Sequence, residues 1–274
     1  MGIRKSLLFA FLLCSVAACS GNKKPQLIHQ EQSPVEILYE RADQAMEDGN
    51  YVEATRYYEE VERQHPYSAL STRAQLMAAY SAYLGQRYDE ALFSLDRYVQ
   101  LHPGADDVDY AYYLKAMSYY EQISDVRRDQ DMTIKAVRAL NTLINRFPNS
   151  EYTRDAQLKR DLTLDHLAGK EMDIGRYYLN RGHVNAAINR FRSVVINFQT
   201  TSHVAESLHR LVESYMTLGL KQEALNTAAV LGHNYPGSKW YERTYALLDD
   251  GQRKKIIDER GILDKTFDSL LKPN

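Results

Sequence analysis

The sequence predicts an all-α protein: a tetratricopeptide-like α-solenoid of about five helix-turn-helix repeats with a C-terminal capping helix. An alanine is followed twelve residues later by a proline four times along the chain. Between these marks apolar residues recur at helical spacing, as in Leu208, Leu211, Val212 and Tyr215. The 274 residues include only 13 glycines and 7 prolines, too few for the frequent tight turns of an all-β chain. The four pairs are Ala54/Pro66, Ala91/Pro103, Ala136/Pro148 and Ala224/Pro236.

Residues 1–18 are interpreted as a lipoprotein signal peptide. Arg4 and Lys5 precede an apolar stretch, residues 7–13, that is too short to span a bilayer. Small residues then lead to Cys19 in a pattern (VAAC) that resembles a bacterial lipobox. Cleavage before Cys19 would leave an N-terminus carrying S-diacylglycerol and N-palmitoyl groups. The alternative is an ordinary signal peptide in which Cys19 is incidental.

Residues 19–33 are polar and lack periodicity, so we expect them to form a lipidated tether. The other cysteine, Cys14, would be lost with the signal peptide, which leaves no disulfide and no cysteine-based metal site in the mature chain. The covalent lipid on Cys19 is therefore the one non-protein group that we expect, and it would attach the chain to a membrane.

The repeats begin after the tether. Repeats 1 and 2 are assigned to residues 34–105, repeat 3 to 106–150, and repeats 4 and 5 with the capping helix to 151–249. Residues 250–274 form a tail, which is either a further cap on the last repeat or a partner-binding helix. We favour the cap, because terminal repeats need an atypical cover. The predicted helices span 34–48, 51–65, 69–84, 88–101, 107–123, 131–147, 151–181 with a break near Gly169, 184–198, 203–218, 221–234 and 238–249.

Glycine, proline and serine mark the predicted helix ends. Glycine suits the left-handed residue that follows a helix end, and proline cannot continue a helix. Serine, two residues after three of the prolines, is expected to cap the next helix by accepting a backbone N–H bond. The glycines are Gly49, Gly182 and Gly219, and the serines are Ser68, Ser150 and Ser238.

Composition and motifs argue against an enzyme and against nucleic-acid binding. Lys and Arg total 34 and Asp and Glu 36, so the net charge of −2 lacks the basic excess of a dedicated nucleic-acid binder. Neither a nucleophile elbow, a phosphate-binding loop nor a dinucleotide-binding glycine motif occurs in the sequence. His203, Glu206 and His209 are spaced at i, i+3 and i+6, which places the two histidines on different helix faces and predicts no metal site.

Three sequence segments between the regularly spaced Ala and Pro positions distinguish this chain from generic tetratricopeptide proteins better than the repeats themselves do. They are residues 125–130 (DVRRDQ), 146–152 (RFPNSEY) and 171–182 (EMDIGRYYLNRG). Together with the lipobox and the P-x-S junctions, they resemble the BamD (ComL) family of the β-barrel assembly machinery over residues 34–250. The resemblance implies an outer-membrane protein that is lipid-anchored on the periplasmic face.

The resemblance also implies a function and partners. Members of this family are non-enzymatic scaffolds in a complex with other Bam lipoproteins. Their C-terminal repeats bind the POTRA domains of BamA, and their N-terminal repeats form a groove proposed to receive unfolded outer-membrane protein precursors. By matching motif, Arg190 is the leading candidate for POTRA contact, with Arg176 and Arg128 as further candidates. An intramolecular ion pair is the alternative role for Arg190.

The inner, concave face of such a solenoid is expected to come from the first helix of each repeat. Aromatic side chains there would suit an extended peptide that ends in an aromatic residue, with Gln and Asp bonding the peptide backbone. The alternative is that most of these tyrosines pack between helices. The candidate groove residues are Tyr39, Asp43, Met46, Gln75, Tyr83, Tyr112 and Tyr113.

Two other functions are considered. A tetratricopeptide envelope lipoprotein could coordinate peptidoglycan synthesis or cell division, but such relatives usually carry a coiled coil before the repeats, and residues 20–33 contain no heptads. A peptidoglycan hydrolase would need a catalytic constellation, and the sequence motifs indicate none.

Overall fold

The structure is a computed structural model that describes residues 34–248 and residue 251. Cys19, the predicted signal peptide, the tether and the rest of the 250–274 tail lie outside the described residues. Residues 34–248 form eleven α-helices and no strand, which confirms the all-α class. The helices are α1 (Val35–Glu47), α2 (Tyr51–Gln64), α3 (Ala69–Leu84), α4 (Tyr88–Leu101), α5 (Val108–Tyr120), α6 (Asp131–Arg146), α7 (Thr153–Asn180), α8 (Val184–Asn197), α9 (Val204–Thr217), α10 (Lys221–Asn234) and α11 (Lys239–Ala246).

The first ten helices form five consecutive helix-turn-helix pairs, in agreement with the tetratricopeptide-like prediction. Each helix packs mainly against the helices that precede and follow it in sequence. The first helices of neighbouring pairs also pack on each other, as α1 does on α3 and α3 on α5. The last helix, α11, packs on α9 and α10 and is the predicted capping helix.

The turns within the pairs depend on a residue in the left-handed region of φ. Gly49, Gly182 and Gly219 have φ of +72°, +76° and +75°, as predicted. In the second pair Gly85 keeps a φ of −75°, and Gln86 takes the left-handed conformation at 57°. In all four turns the following residue donates its backbone N–H to the carbonyl five positions earlier, at 2.8–2.9 Å. This bond ends the first helix and starts the reversal into the second.

Serine capping is confirmed at two of the three predicted positions. Ser68 Oγ accepts from the backbone N–H of Leu70 at 3.2 Å, and Ser238 Oγ accepts from that of Tyr241 at 3.1 Å. Ser150 differs, because an additional turn separates it from α7. Ser150 Oγ accepts from the Tyr152 backbone N–H at 3.2 Å, so the predicted bond forms, but it lies in that turn and not at the first residues of α7.

The core consists of four clusters in sequence order. They join α1 to α3, α3 to α5, α5 to α7, and the C-terminal half of α7 to the residues around α11. An alanine of each second helix is fully buried, which lets the paired helices approach closely. Stability in such a stack comes from contacts between neighbouring repeats. The alanines are Ala54, Ala91, Ala136, Ala187 and Ala224.

The helix α7 is continuous from Thr153 to Asn180, so the predicted break near Gly169 is wrong. Glycine within a helix costs about 1 kcal/mol relative to alanine. At Gly169, however, a Cβ would lie 3.3 Å from His203 Nε2 and 3.9 Å from Val126 Cγ2. At Gly175 a Cβ would lie 2.5 Å from the Phe191 ring. Both glycines permit close packing against α7, and neither ends the helix.

Candidate functional site

Six tyrosines from α3, α4, α5 and the turn before α7 lie close together, and we call them the tyrosine cluster. The ring centroids of Tyr110 and Tyr80 are 6.2 Å apart, and those of Tyr110 and Tyr152 are 5.2 Å apart. Tyr113 stacks on Tyr152 at 4.9 Å. All six rings are half-buried, so each packs on one side and reaches the surface on another. The members are Tyr80, Tyr83, Tyr88, Tyr110, Tyr113 and Tyr152.

The phenols of the cluster are neutral hydrogen-bonding groups. Burial, with a smaller contribution from the nearby carboxylate of Glu121, raises the pKa of Tyr83 to about 12. Burial is also the main cause of the raised pKa of Tyr110. Tyr83 contacts Tyr88 edge-on at 5.9 Å. A surface of neutral phenols and ring faces can hold aromatic side chains and bond the backbone of an extended peptide.

A carboxylate of α7 fixes one side of the cluster. The Tyr113 phenol donates to Asp155 Oδ2 at 2.7 Å, and Lys159 Nζ donates to Asp155 Oδ1 at 3.1 Å. Burial acts to raise the pKa of Asp155, but these two hydrogen bonds outweigh it and hold that pKa below its ordinary value. The bond ties α5 to α7 and orients the Tyr113 ring.

Tyr112 lies apart from the cluster, although it is adjacent to Tyr113 in the sequence. Its ring packs on Phe147 at 5.3 Å, and Arg146 Nη1 donates to its hydroxyl at 2.8 Å. The Arg146 guanidinium also lies 5.1 Å from the ring centroid. The structure therefore separates two of the predicted groove residues by directing Tyr112 towards the end of α6.

The predicted groove residues of the first repeat contact their own neighbours. Tyr39 packs edge-on against Tyr58 at 5.4 Å, and the Tyr58 phenol donates to Asp43 Oδ1 at 2.5 Å. Burial, reinforced by that bond, raises the pKa of Tyr58. Met46 Sδ accepts from the Ser81 hydroxyl at 2.9 Å. Of these three residues, Asp43 is exposed and Tyr39 and Met46 are half-buried. A ligand contact for any of them stays a prediction.

Gln75 joins three helical segments. Its Nε2 donates to Glu62 Oε1 of α2 at 2.9 Å, and its Oε1 lies 2.8 Å from His102 Nε2 at the end of α4. Both bonds hold the Gln75 side-chain amide within the fold, on the side of α3 that faces α2 and α4. The structure therefore does not bring Gln75 together with the tyrosine cluster.

Four members of the cluster were not among the sequence-based candidates: Tyr80, Tyr88, Tyr110 and Tyr152. A signal for two of them was available. Tyr80 and Tyr83 on α3, like Tyr110 and Tyr113 on α5, are spaced i, i+3 and share a helix face. Tyr88 and Tyr152 join from the first residue of α4 and the turn before α7, which only the packing of the repeats could reveal.

A second surface is an open pocket of about 700 Å³ where the 125–130 loop meets α7 and α8, and we call it the cationic pocket. It brings together two of the three predicted partner-binding residues, Arg176 and Arg190. Four basic side chains and a single acidic one line it. An excess of positive charge in a concave site attracts acidic groups. The lining residues are Arg127, Lys170, Asp173, Ile174, Arg176, Tyr177, Tyr178, Asn180 and Arg190.

Arg176 is held by two carboxylates. Its Nη2 donates to Asp173 Oδ1 at 2.5 Å, and its Nη1 donates to Glu206 Oε1 of α9 at 3.2 Å. The hydrogen bond from Arg176 is the main cause that lowers the pKa of Asp173. Arg176 therefore cross-links α7 to α9 and has little capacity left for a partner.

Arg190 is held less completely. Its Nη1 lies 3.2 and 3.3 Å from the two carboxylate oxygens of Glu171, and its side chain is 42% exposed. Within the described residues its Nη2 and Nε bond to no other group. The intramolecular ion pair that was one of the two alternatives is thus present, and it leaves one edge of the guanidinium open.

Arg128 is exposed beside the pocket, and its side chain is not among the lining residues. Its backbone is fixed, because its N–H donates to the Asp125 carbonyl at 2.9 Å and its own carbonyl accepts from Lys170 at 3.3 Å. A partner contact for Arg128 stays a prediction.

The histidines considered for metal binding have other neighbours. His203 Nε2 lies 3.5 Å from Asp165 Oδ2, whereas the buried His209 has its Nδ1 2.8 Å from Thr244 Oγ1. Among residues 34–248, no three or more His, Cys, Asp and Glu side chains are grouped as metal ligands would be. No helix in this part of the chain combines the length and apolarity that crossing a membrane requires.

Comparison with known proteins identifies related sequences. The profile of the family YfiO, described as outer membrane lipoprotein, matches residues 31–242. These residues include all eleven helices except the last part of α11. The matched range therefore contains both the tyrosine cluster and the cationic pocket.

Several curated relatives share the name outer membrane protein assembly factor BamD. The protein of Caulobacter vibrioides is 50% identical over 89% of this chain and 80% of its own length. The protein of Rickettsia prowazekii is 44% identical over 89% of this chain and 98% of its own length. The protein of Neisseria meningitidis serogroup A is 34% identical over 86% of this chain and 93% of its own length.

Proposed function

The chain belongs to the YfiO family of outer membrane lipoproteins, and from this membership we propose that it acts in outer-membrane protein assembly as a non-enzymatic scaffold. It binds unfolded outer-membrane protein precursors and presents them to the POTRA domains of a BamA-type barrel, in a complex with other Bam lipoproteins. The names of its relatives support the role in assembly. The two surfaces described above support the two binding steps.

The tyrosine cluster is the single observation that supports precursor binding most strongly. Its rings are half-buried and its phenols are neutral, so it offers ring faces and hydrogen-bonding groups without a net charge. An extended precursor segment with aromatic side chains presents the complementary groups. In this proposal the segment lies across α3, α5 and the start of α7.

Site-specific photo-cross-linking tests the precursor site. A photoreactive phenylalanine placed at Tyr83 or at Tyr152 keeps an aromatic ring in the cluster, and we expect both variants to cross-link to an unfolded barrel precursor. Tyr67 is fully exposed at 101% and lies outside the cluster, so the same label at Tyr67 controls for exposure alone. Equal cross-linking from Tyr67 and Tyr83 would show that the cluster has no special affinity for precursors.

The cationic pocket is the proposed contact for the POTRA domains. Arg190 contributes the open edge of its guanidinium, and Arg127 contributes a side chain that is 85% exposed. Arginine binds carboxylates with two parallel hydrogen bonds when both of its nitrogens on one edge are available. The partner surface is therefore expected to carry Asp or Glu side chains.

The membrane attachment is proposed to be the lipid on Cys19, with the repeats on the periplasmic face of the outer membrane. The lipobox-like pattern and the family of outer membrane lipoproteins support this location. Two or three acyl chains would hold the protein far more firmly than a single one, since each buried CH₂ contributes about 0.8 kcal/mol.

A further inference from the structure

The 125–130 loop, one of the specific strings of the sequence, is braced from within. The Gln130 side-chain amide donates to the carbonyls of Val126 and Arg128 at 3.2 and 3.0 Å. Asp125 Oδ1 accepts from the Arg127 backbone N–H at 2.8 Å. These bonds give an irregular segment a defined backbone path, but they do not attach it to the rest of the protein.

The attachment comes from α7. Lys170 Nζ donates to the Arg127 carbonyl at 2.8 Å and to the Arg128 carbonyl at 3.3 Å. One turn further along α7, Asp173 Oδ2 lies 3.6 Å from Arg127 Nε. Val126 packs over Gly169, where a Cβ would lie 3.9 Å from Val126 Cγ2, an ordinary contact distance. The loop therefore rests on one face of α7, immediately before and within the 171–182 string.

We propose that Lys170 is a positioning residue for the cationic pocket. By binding two loop carbonyls, Lys170 holds the loop on α7 and keeps the Arg127 guanidinium beside the pocket that Arg190 also lines. Preorganised cations favour binding of an acidic partner, because the loop is already ordered and binding does not have to supply the free energy of ordering it. The inference rests on the proposed function of this pocket, and it adds that binding depends on the place of the loop as well as on its charge.

The first test compares Lys170→Met with Lys170→Arg in the full chain. Methionine keeps most of the length of the side chain and removes the donor, so amide hydrogen exchange of the 125–130 segment should accelerate at least about tenfold, as expected for the loss of charge-assisted bonds. Arginine retains the donors and should restore slow exchange. The exposed Lys221→Met on α10 removes the same charge elsewhere and should leave exchange unchanged. Unchanged exchange in Lys170→Met would overturn the proposal.

Capture of soluble POTRA domains is measured on the same variants, with Arg190→Glu beside them. We expect weaker capture for Lys170→Met, normal capture for Lys170→Arg, and loss for Arg190→Glu. Faster loop exchange with normal capture in Lys170→Met, while Arg190→Glu still loses capture, would overturn the positioning role alone. Normal capture in both Lys170→Met and Arg190→Glu would instead overturn the proposed function of the pocket.

An engineered disulfide distinguishes the effect of the position of the loop from the effect of the Lys170 charge. In the Lys170→Met background, Val126→Cys and Gly169→Cys would face each other, because a Cβ at Gly169 lies 3.9 Å from Val126 Cγ2. Oxidation should fix the loop on α7 and restore capture without the lysine, and reduction should reverse this. A cross-linked protein that still captures POTRA domains weakly would contradict the proposal.

Discussion

Arg190 of α8 is tied to Glu171 of α7 through one nitrogen, since Nη1 alone lies within 3.3 Å of the carboxylate. Glu171 accepts hydrogen bonds from the Arg190 side chain, which α8 presents to α7. It orients the guanidinium of Arg190 without covering it. Arg176, by contrast, donates hydrogen bonds from two nitrogens, one to Asp173 and one to Glu206. The two arginines that the sequence grouped together thus have different capacities for a partner.

Reversing the charge of Arg190 should weaken partner capture. Arg190→Glu places like charges beside Glu171 and beside the expected partner carboxylates, so we expect capture of POTRA domains to fall at least about tenfold. Helical content should not change, because an exposed ion pair contributes about 0–1 kcal/mol. Pull-down and circular dichroism measure the two effects. Arg138→Glu on the exposed side of α6 is the control, and equal capture by both variants would remove Arg190 from the interface.

Adding a methyl group at Gly175 should destabilise the C-terminal repeats. Its Cβ would lie 2.5–2.9 Å from three atoms of the Phe191 ring, which is fully buried. Gly175→Ala is expected to lower the free energy of unfolding by about 1–3 kcal/mol. Gly104→Ala is the matched control, because no atom lies within 4 Å of its Cβ position. Denaturant unfolding compares the two, and equal stability would contradict the packing assigned to Gly175.

Removing the hydroxyl of Tyr98 should cost stability without opening a cavity. Tyr98 is fully buried, and its phenol donates to Asp107 Oδ1 at the start of α5. Tyr98→Phe leaves that carboxylate without its donor, so we expect a loss of about 1–2 kcal/mol in thermal or chemical unfolding. The fully exposed Tyr67 provides the control, Tyr67→Phe, which should be neutral. A neutral effect at Tyr98 would mean that Asp107 is satisfied by other groups.

Glu213 should make the C-terminal repeats sensitive to acid. Burial acts to raise its pKa, but hydrogen bonds from His209 and Arg210 outweigh burial and lower the pKa to about 2. An unfolded glutamate titrates near 4.3. The stabilisation is therefore complete above about pH 4.3 and is lost as the pH falls towards 2.

Glu213→Gln should remove part of that acid dependence. The variant is expected to be less stable at neutral pH by about 1–2 kcal/mol, after allowance for partial exposure, and its unfolding free energy should change less between about pH 4.3 and 2. Thermal unfolding at neutral pH and at several values between about pH 4.3 and 2 measures both effects. A variant whose pH profile runs parallel to that of the unaltered protein would show that Glu213 is not responsible.

Substitution of Cys19 tests the anchor. Cys19→Ser cannot be acylated, and we expect the protein to appear in the soluble fraction after cell fractionation. Ser20→Ala leaves the cysteine in place and should remain with the membranes. A Cys19→Ser protein that stays bound through washes with high salt would show that another part of the chain holds it to the membrane.

The helices were predictable because their signals are local. Residues 107–123 were predicted for a helix that runs over Val108–Tyr120, and the left-handed glycines stand where the turns need them. Gly169 shows the limit of such signals. A glycine within a helical pattern indicates either a break or a close approach, and only the presence of His203 and Val126 above it decides between them.

The binding surfaces were less predictable because they depend on which helices meet. Tyr112 and Tyr113 are adjacent in the sequence, but consecutive residues on an α-helix point about 100° apart. Tyr113 consequently reaches Tyr152 and Asp155, while Tyr112 reaches Phe147. The family resemblance similarly indicated Arg176 and Arg190, but the sequence could not say which acidic residues would hold each of them.

The uninterrupted α7 has a consequence for any polypeptide that touches both surfaces. Asp155, which bonds the tyrosine cluster, and Arg176, which lines the cationic pocket, belong to this one rod and are about 30 Å apart at 1.5 Å per residue. An extended strand of roughly nine residues covers that length. A polypeptide shorter than this cannot contact the two places at once, so the length of α7 sets the shortest segment that could bridge them.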